Sequence, residues 1–304
     1  GGMRLPVLEP SDLESLVPGV SVIGSPLNGG QKLVFEANYS GEKCAVKAIL
    51  ISAEALGSVP GNDYSDDEAI ARAEREVEIL GGIDSPHLVS LGPVPFQVVE
   101  HQGQRIVIFS EEWLSGRALN EEIADQGPLP VEQVLEMALS VTSAICSLWD
   151  RSIVHRDIKP GNIVRRSPGG EHVLLDMGLA FDLGDKSITP SGIYVGTPIY
   201  YSPDQLILRP NRALDFRSDS YALGTVMYES LTGSHPFATQ GSSQKEVVTK
   251  IVNGEMPVAP SSIVANVPNE VERLVNRLLQ HRPHRRFRTC SQLEAELEAI
   301  KANI

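Results

Sequence analysis

The apolar residues of this 304-residue chain change period once, near residue 130, and that change limits the folds open to it. VSVIG (20–24), KLVFEANY (32–39) and KCAVKAIL (43–50) alternate or run apolar. Turn residues Asn28-Gly29-Gly30 and Ser40-Gly41 separate them, as between strands. Strand-like runs return at 96–100 and 105–110. One helix interrupts them: Asp66 or Asp67 caps it, Ile70, Ala73, Val77 and Leu80 form its apolar stripe, and Gly81-Gly82 ends it. From Pro130 on, Val131, Val134, Leu135, Ala138, Val141, Ile145 and Leu148 mark one face of a long helix. Helical patterns follow at 219–232, 244–253, 269–280 and 290–301. Strands first and helices after predict an α+β chain with a small β-rich lobe and a larger helical lobe.

Charge and cysteine usage narrow the function classes. The net charge of −13 argues against a broad basic face and so against nucleic acid as a partner. Cys44, Cys146 and Cys290 are odd in number and form no CxxC pair, which fits a reducing compartment and a cytoplasmic location, or the cytosolic domain of a longer protein. No apolar run approaches the roughly 18 residues of a membrane span, and no signal peptide is visible. Membrane contact within this domain is therefore not expected. Gly1-Gly2 ahead of Met3 reads as a cleavage remnant, with Met3 the native start.

The densest polar cluster in an apolar setting is HRDIKPGNIV, residues 155–164. Two cations, a carboxylate and an amide fall between Ile153-Val154 and Ile163-Val164. A solvated turn at Pro160-Gly161 would use some of these residue types for backbone reasons alone. Three further pieces lie in order around it: Ala45-Val46-Lys47 on a strand, Glu76 on the first helix, and Asp176-Met177-Gly178 after the short strand HVLLD.

This ordered set resembles the eukaryotic-type protein kinase family, serine/threonine branch, in a bacterial style, from about Val20 to Arg288. The resemblance implies a two-lobed kinase domain over 10–302: an N-lobe over about 10–112, a hinge at 112–116 and a C-lobe over 117–302. It implies transfer of the γ-phosphoryl group of Mg²⁺-bound ATP to a serine or threonine hydroxyl of a protein substrate, a reaction that needs charge neutralisation and alignment more than covalent help. Lys47 would reach the α- and β-phosphates, and Glu76, with Leu80 one turn on, would hold Lys47 by an ion pair. Asp157 would take or orient the hydroxyl proton, with Lys159 steadying the γ-phosphate and Thr197, in Gly196-Thr197-Pro198, bonding both. Asn162 and Asp176 would hold Mg²⁺ through hard oxygen ligands. His155 would pack beneath Met177, and Asp219 would cap the backbone of the catalytic loop. Val34 and Ala45 would cover adenine, Val164 would underlie it, and the backbone of Glu112 to Leu114 would bond it, with Gly116 following.

Several positions depart from the family. Leu27, Gly29 and Lys32 stand where three glycines usually cover phosphate, so Gly24, Gly29 and Gly30 are the candidates for that loop. Glu111 falls where an apolar residue usually guards the back of the nucleotide pocket; either it pairs with a cation or Ser110 takes that place. Ser202-Pro203-Asp204 replaces Ala-Pro-Glu, so the pair with Arg286 should be longer or shifted. Residues 176–204 fit a regulated loop, with Thr189 and Ser191 as candidate phosphorylation sites that would dock on Arg156. Two other functions compete: a nucleotide-binding pseudokinase acting as a regulator, and a small-molecule kinase of the antibiotic-modifying type. The GTP…SPDQ segment and Lys159 argue against the second.

Overall fold

The computed structural model describes residues 8–29, 32–51, 66–175, 198–207 and 214–304. These form two compact units divided between Leu114 and Ser115, except that residues 85–88 belong with the second.

The first unit contains α1 (Pro10–Leu16), β1 (Val20–Val22), β2 (Leu27–Gly29), β3 (Lys32–Tyr39), β4 (Glu42–Ile51), α2 (Asp66–Gly81), β5 (Gln97–His101) and β6 (Gln104–Glu112). The strands form one antiparallel sheet in the order β1-β3-β4-β6-β5, with β2 folded back on β3. Opposed residues in such a sheet share a face. Val34 lies opposite Lys47, and Ala45 lies opposite both Glu36 and Glu111, so Val34, Ala45, Lys47 and Glu111 point to one side. The other side carries Phe35, Ala37, Cys44, Val46, Ala48, Ile106 and Ile108, buried with Leu8, Leu13 and Val17. Burying each large apolar side chain contributes about 1.5–3 kcal/mol, so this face fixes the register that the polar face inherits. The sequence reading passed over α1, although Pro10 opens it and the Asp12 carboxylate accepts the Glu9 amide at 2.9 Å.

The second unit contains β7 (Gly116–Ala118), α3 (Leu119–Gln126), α4 (Val131–Trp149), β8 (Ile163–Arg166), β9 (His172–Leu174), α5 (Pro203–Leu206), α6 (Phe216–Thr232), α7 (Gln244–Asn253), α8 (Asn269–Leu278) and α9 (Cys290–Asn303). Helix α4 packs against α6, α9 and β9. Its 19 residues are long and apolar enough to cross a membrane by length and composition, contrary to the sequence expectation. Val134, Leu135, Ala138, Val141, Ile145 and Leu148 are buried within this unit, which makes α4 its core helix.

Gly116 and Gly224 mark close approaches within the second unit. A Cβ at Gly224 would lie 2.6 Å from the Leu278 Cβ, so α6 and α8 meet there only over a bare backbone. A Cβ at Gly116 would lie 2.1 Å from the Arg165 carbonyl oxygen, in the small sheet β7-β8-β9. The short strands β7 and β8 hold the exit of the 155–162 loop, which ends in a 3-10 turn at Pro160–Asn162 and runs into β8.

Candidate active site

The second unit gathers the polar cluster of residues 155–162. Lys159 Nζ donates to both carboxylate oxygens of Asp157, at 2.9 and 3.1 Å. Asn162 Nδ2 donates to the Asp157 carbonyl and to its Oδ2, both at 2.8 Å. The amide nitrogen of Asn162, not its oxygen, therefore faces the carboxylate. Asp157 is held from two sides in a partly exposed position, as a group that must meet an incoming hydroxyl would need to be.

The loop behind it is tied to buried groups. Asp219 Oδ2 accepts the His155 amide at 2.8 Å and Oδ1 the Arg156 amide at 2.9 Å. Burial pushes the Asp219 carboxyl up to about 7, against the pull of those two amides and the Arg156 guanidinium. Arg156 has φ +69°, in the left-handed region that non-glycine residues rarely adopt. Asp219 and Gln205, whose Nε2 donates to the Arg156 carbonyl at 3.0 Å, hold that conformation from two elements. The fully buried His155 accepts the Asp157 amide at Nδ1 and so donates from Nε2 to the Leu175 carbonyl at 2.9 Å. The capping contacts expected of Asp219 are thus present, while Met177, beneath which His155 was expected to pack, lies outside the described residues; the tie from Gln205 was missed, since residue spacing carries no sign of a contact 49 positions away.

Arg286 is fully enclosed. Its guanidinium donates to Asp204 at 2.8 Å and to the carbonyls of Arg217, Gln280 and His281 at 2.8–3.0 Å. The pair with Asp204 is of ordinary length, which corrects the expectation of a longer one. Three carbonyls fix the guanidinium, and the first turn of α5 brings the shorter aspartate to it.

The first unit holds the other half of the candidate set. Lys47 on β4 is buried at 3% exposure and forms an ion pair with Glu111 on β6, itself 4% exposed. The Lys47 ammonium also lies 5.9 Å from the centre of the Phe109 ring. Ser110 points to the opposite face, where its Oγ accepts the Val94 amide at 2.7 Å. The choice between Glu111 and Ser110 is thereby settled: Glu111 shares the face of Lys47. Val34 and Ala45 flank Lys47 on that face. Glu112 is tied to Ser90, whose carbonyl accepts the Glu112 amide at 2.9 Å and whose amide donates to the Glu112 carboxylate at 3.0 Å. Leu114 ends this unit, Gly24 sits in an exposed turn at φ +72°, and Gly29 pairs with Lys32 across the β2-β3 hairpin.

Val164 occupies the middle strand β8 of the second unit, paired with Ala118 and Val173. Gly30, Asp176 and Thr197 lie outside the described residues, as do Thr189 and Ser191 and the side chain of Glu76 on α2. No cluster of three metal-ligating His, Cys, Asp or Glu side chains occurs among the described residues. Among the described residues beside Asp157, the Asn162 side-chain oxygen is a hard donor not used in bonding Asp157.

Residues 29–297 match the family model described as protein kinase domain. The chain is 32% identical over 251 residues to the serine/threonine-protein kinase PrkC of Bacillus subtilis, covering 82% of this chain and 37% of that protein. It is 30% identical over 237 residues to the serine/threonine-protein kinase PknB of Mycobacterium leprae, covering 74% of this chain and 35% of that one. It thus spans about a third of the length of these relatives. Among solved structures, the PknI kinase domain of Mycobacterium tuberculosis, as a C20A_R136A double mutant, superposes with a TM-score of 0.66 over 93% of this chain and 96% of that chain, at 20% identity.

Proposed function

This chain belongs to the protein kinase domain family, and we propose that it is an ATP-dependent serine/threonine protein kinase, with residues 10–302 as its catalytic domain. The observation that carries the reading is the Asp157–Lys159–Asn162 cluster: one carboxylate, partly exposed, oriented by an ammonium on both oxygens and an amide on one. Phosphoryl transfer needs such a carboxylate to receive the proton of the attacking hydroxyl, and needs it held still. Magnesium-bound ATP, when present, supplies the transferable phosphoryl group and the charge that offsets its oxygens.

Each residue of this chain then has a task. Asp157 accepts the hydroxyl proton of a serine or threonine in a protein substrate. Lys159 steadies the γ-phosphate and, through its bonds to both carboxylate oxygens, orients Asp157. Asn162, with Asp176, holds Mg²⁺. Lys47 binds the α- and β-phosphates, and Val34, Ala45 and Val164 supply apolar surface for adenine. The buried Lys47–Glu111 pair supports the assignment of Lys47, because a strand lysine at 3% exposure is not a solvated charge. Free thiols at Cys44, Cys146 and Cys290 support a cytoplasmic setting.

The test is transfer of radiolabelled phosphate from ATP to the protein itself or to a generic basic protein, with Asp157→Asn as control. The wild type should incorporate label and the variant should lose at least about a hundredfold. Equal incorporation by both would remove Asp157 from the chemistry. ATP binding without transfer by the wild type would favour the regulatory, pseudokinase reading.

A further inference from the structure

We infer that Glu111 is a positioning residue for Lys47: a carboxylate on strand β6 that holds the phosphate-binding ammonium from within the sheet. The inference rests on the assignment of Lys47 to ATP phosphate made above.

The register makes the contact. Lys47 stands opposite Phe109 and Glu111 opposite Ala45, so Lys47 and Glu111 are diagonal neighbours on one face of adjacent strands. Diagonal partners on a sheet are within reach of long side chains. The two form an ion pair with both side chains almost fully enclosed, at 3% and 5% exposure. A buried ion pair is retained at a cost in desolvation, so its two groups are held in contact rather than hydrated separately.

The backbone of Glu111 is clamped as well. Ser110 exchanges backbone hydrogen bonds with Gly92 and Val94 at 2.8 and 3.0 Å, and the Glu112 amide donates to Ser90. Leu91 bridges to Glu111. A Cβ at Gly92 would come within 2.7 Å of the Glu111 carbonyl oxygen and 2.6 Å of Ser110 Oγ, so the 90–94 segment lies tightly along β6. Flipping β6 by one residue would pull Ser110 Oγ off Val94 and send Glu111 into the apolar face with Val46 and Ile108. Glu111 is thus a rigidly mounted anion. A lysine anchored to it has its ammonium held from a neighbouring strand of the same sheet. Family kinases place an apolar residue here; in this chain the position contributes to orienting the catalytic lysine.

The experiment compares four proteins: wild type, Lys47→Met, Glu111→Gln and the double variant. Affinity for Mg-ATP is read with a fluorescent ATP analogue, and phosphate transfer is read as kcat and KM for ATP. Thermal melting confirms that each variant is folded, and Glu111→Asp serves as the conservative variant should Glu111→Gln fail to fold. Glu111→Gln keeps the shape and an acceptor but loses the charge. It should weaken Mg-ATP about tenfold, and more through KM than through kcat. In the Lys47→Met background the same substitution should change affinity less than twofold, since it acts through Lys47. Glu111→Asp should fall between Glu111→Gln and wild type. Wild-type affinity and KM in Glu111→Gln, or an equal loss with and without Lys47, would overturn the inference. A gain in affinity would also overturn it, by making Glu111 a competitor for the ammonium. Unchanged binding and transfer in Lys47→Met would instead overturn the assignment of Lys47 itself, a separate and recognisable failure.

Discussion

Asp219 on α6 accepts the amide of Arg156 at 2.9 Å while Arg156 is held at φ +69°. A buried carboxylate thus stabilises a conformation that the backbone disfavours, at the residue immediately before Asp157. Asp219→Ala would leave the His155 and Arg156 amides without their acceptor, at about 1–3 kcal/mol each. The expected result is a melting temperature several degrees lower and a fall in kcat of at least tenfold at a temperature where the variant remains folded. Circular dichroism melts and a phosphate-transfer assay check both. A variant with wild-type kcat would show that the loop reaches its geometry without Asp219.

The Arg286–Asp204 pair makes a different prediction, because the guanidinium serves four acceptors at once. Arg286→Lys keeps the charge but has one ammonium for sites that the planar fork reaches in several directions. It should cost about 3 kcal/mol or more in chemical denaturation, since buried carbonyls of Arg217, Gln280 and His281 lose partners together with Asp204. Asp204→Asn, which keeps an acceptor for the guanidinium, should cost less. The reverse order of the two losses would mean that the ion pair, rather than the carbonyl bonds, dominates.

How far the sequence carried the reading depends on what each feature rests on. Strands β3, β4 and β6 and helices α4, α6, α7 and α9 were legible because their apolar periods run over 8 residues or more. Strand β7 and the four-residue α5 are too short for a period to be counted, and α3, which starts directly after β7, went unread as well. The site divides in the same way. Asp157, Lys159 and Asn162 lie within one short loop, so their spacing alone brings them together. The partner of Lys47 is set by the register of β6 against β4, and a single sequence does not state which residue of one strand stands opposite which of another. Glu111 and Ser110 were therefore equally open until Ala45 was seen opposite Glu111. The same holds for Gln205 and Arg156, which α5 and the loop bring together from distant positions.

Histidine 235 predicts an acid limb in stability. Its Nδ1 accepts the Phe237 amide at 3.3 Å, so Nε2 carries the hydrogen and donates to the Ile199 carbonyl at 3.0 Å. Protonating Nδ1 would break the first bond inside an enclosed site, and burial lowers the imidazole to about 4 from its ordinary 6.5. A histidine lowered in the fold binds its proton more readily when unfolded. Its contribution is therefore complete above about pH 6.5 and is lost as pH falls toward 4, by about 3 kcal/mol at most. His172, also lowered to about 4 by burial, adds a loss of the same sign. Glu229, raised by burial beside Tyr200, opposes it over part of that range. His235→Gln isolates the term: it should be less stable than wild type at pH 7.5 but lose less between pH 6.5 and 4.5. Parallel stability curves for the two proteins would mean that His235 does not titrate in that window.

Asn162, proposed above as a magnesium ligand, also orients the Asp157 carboxylate. Its amide nitrogen donates to Asp157 Oδ2 and to the Asp157 carbonyl at 2.8 Å, which leaves a single side-chain oxygen to serve a cation. Asn162→Ala removes both functions. The Asp157 carboxylate keeps Lys159 but loses its second tether, so kcat should fall by about a hundredfold. The magnesium concentration for half-maximal rate should rise at the same time, because one hard oxygen donor has gone. Asn162→Asp keeps an oxygen for magnesium but places a second anion against Asp157, so it should restore metal affinity without restoring kcat. Titrating the transfer rate against magnesium for the three proteins separates the two effects. A fall in kcat with no change in the magnesium requirement would confine Asn162 to orienting Asp157.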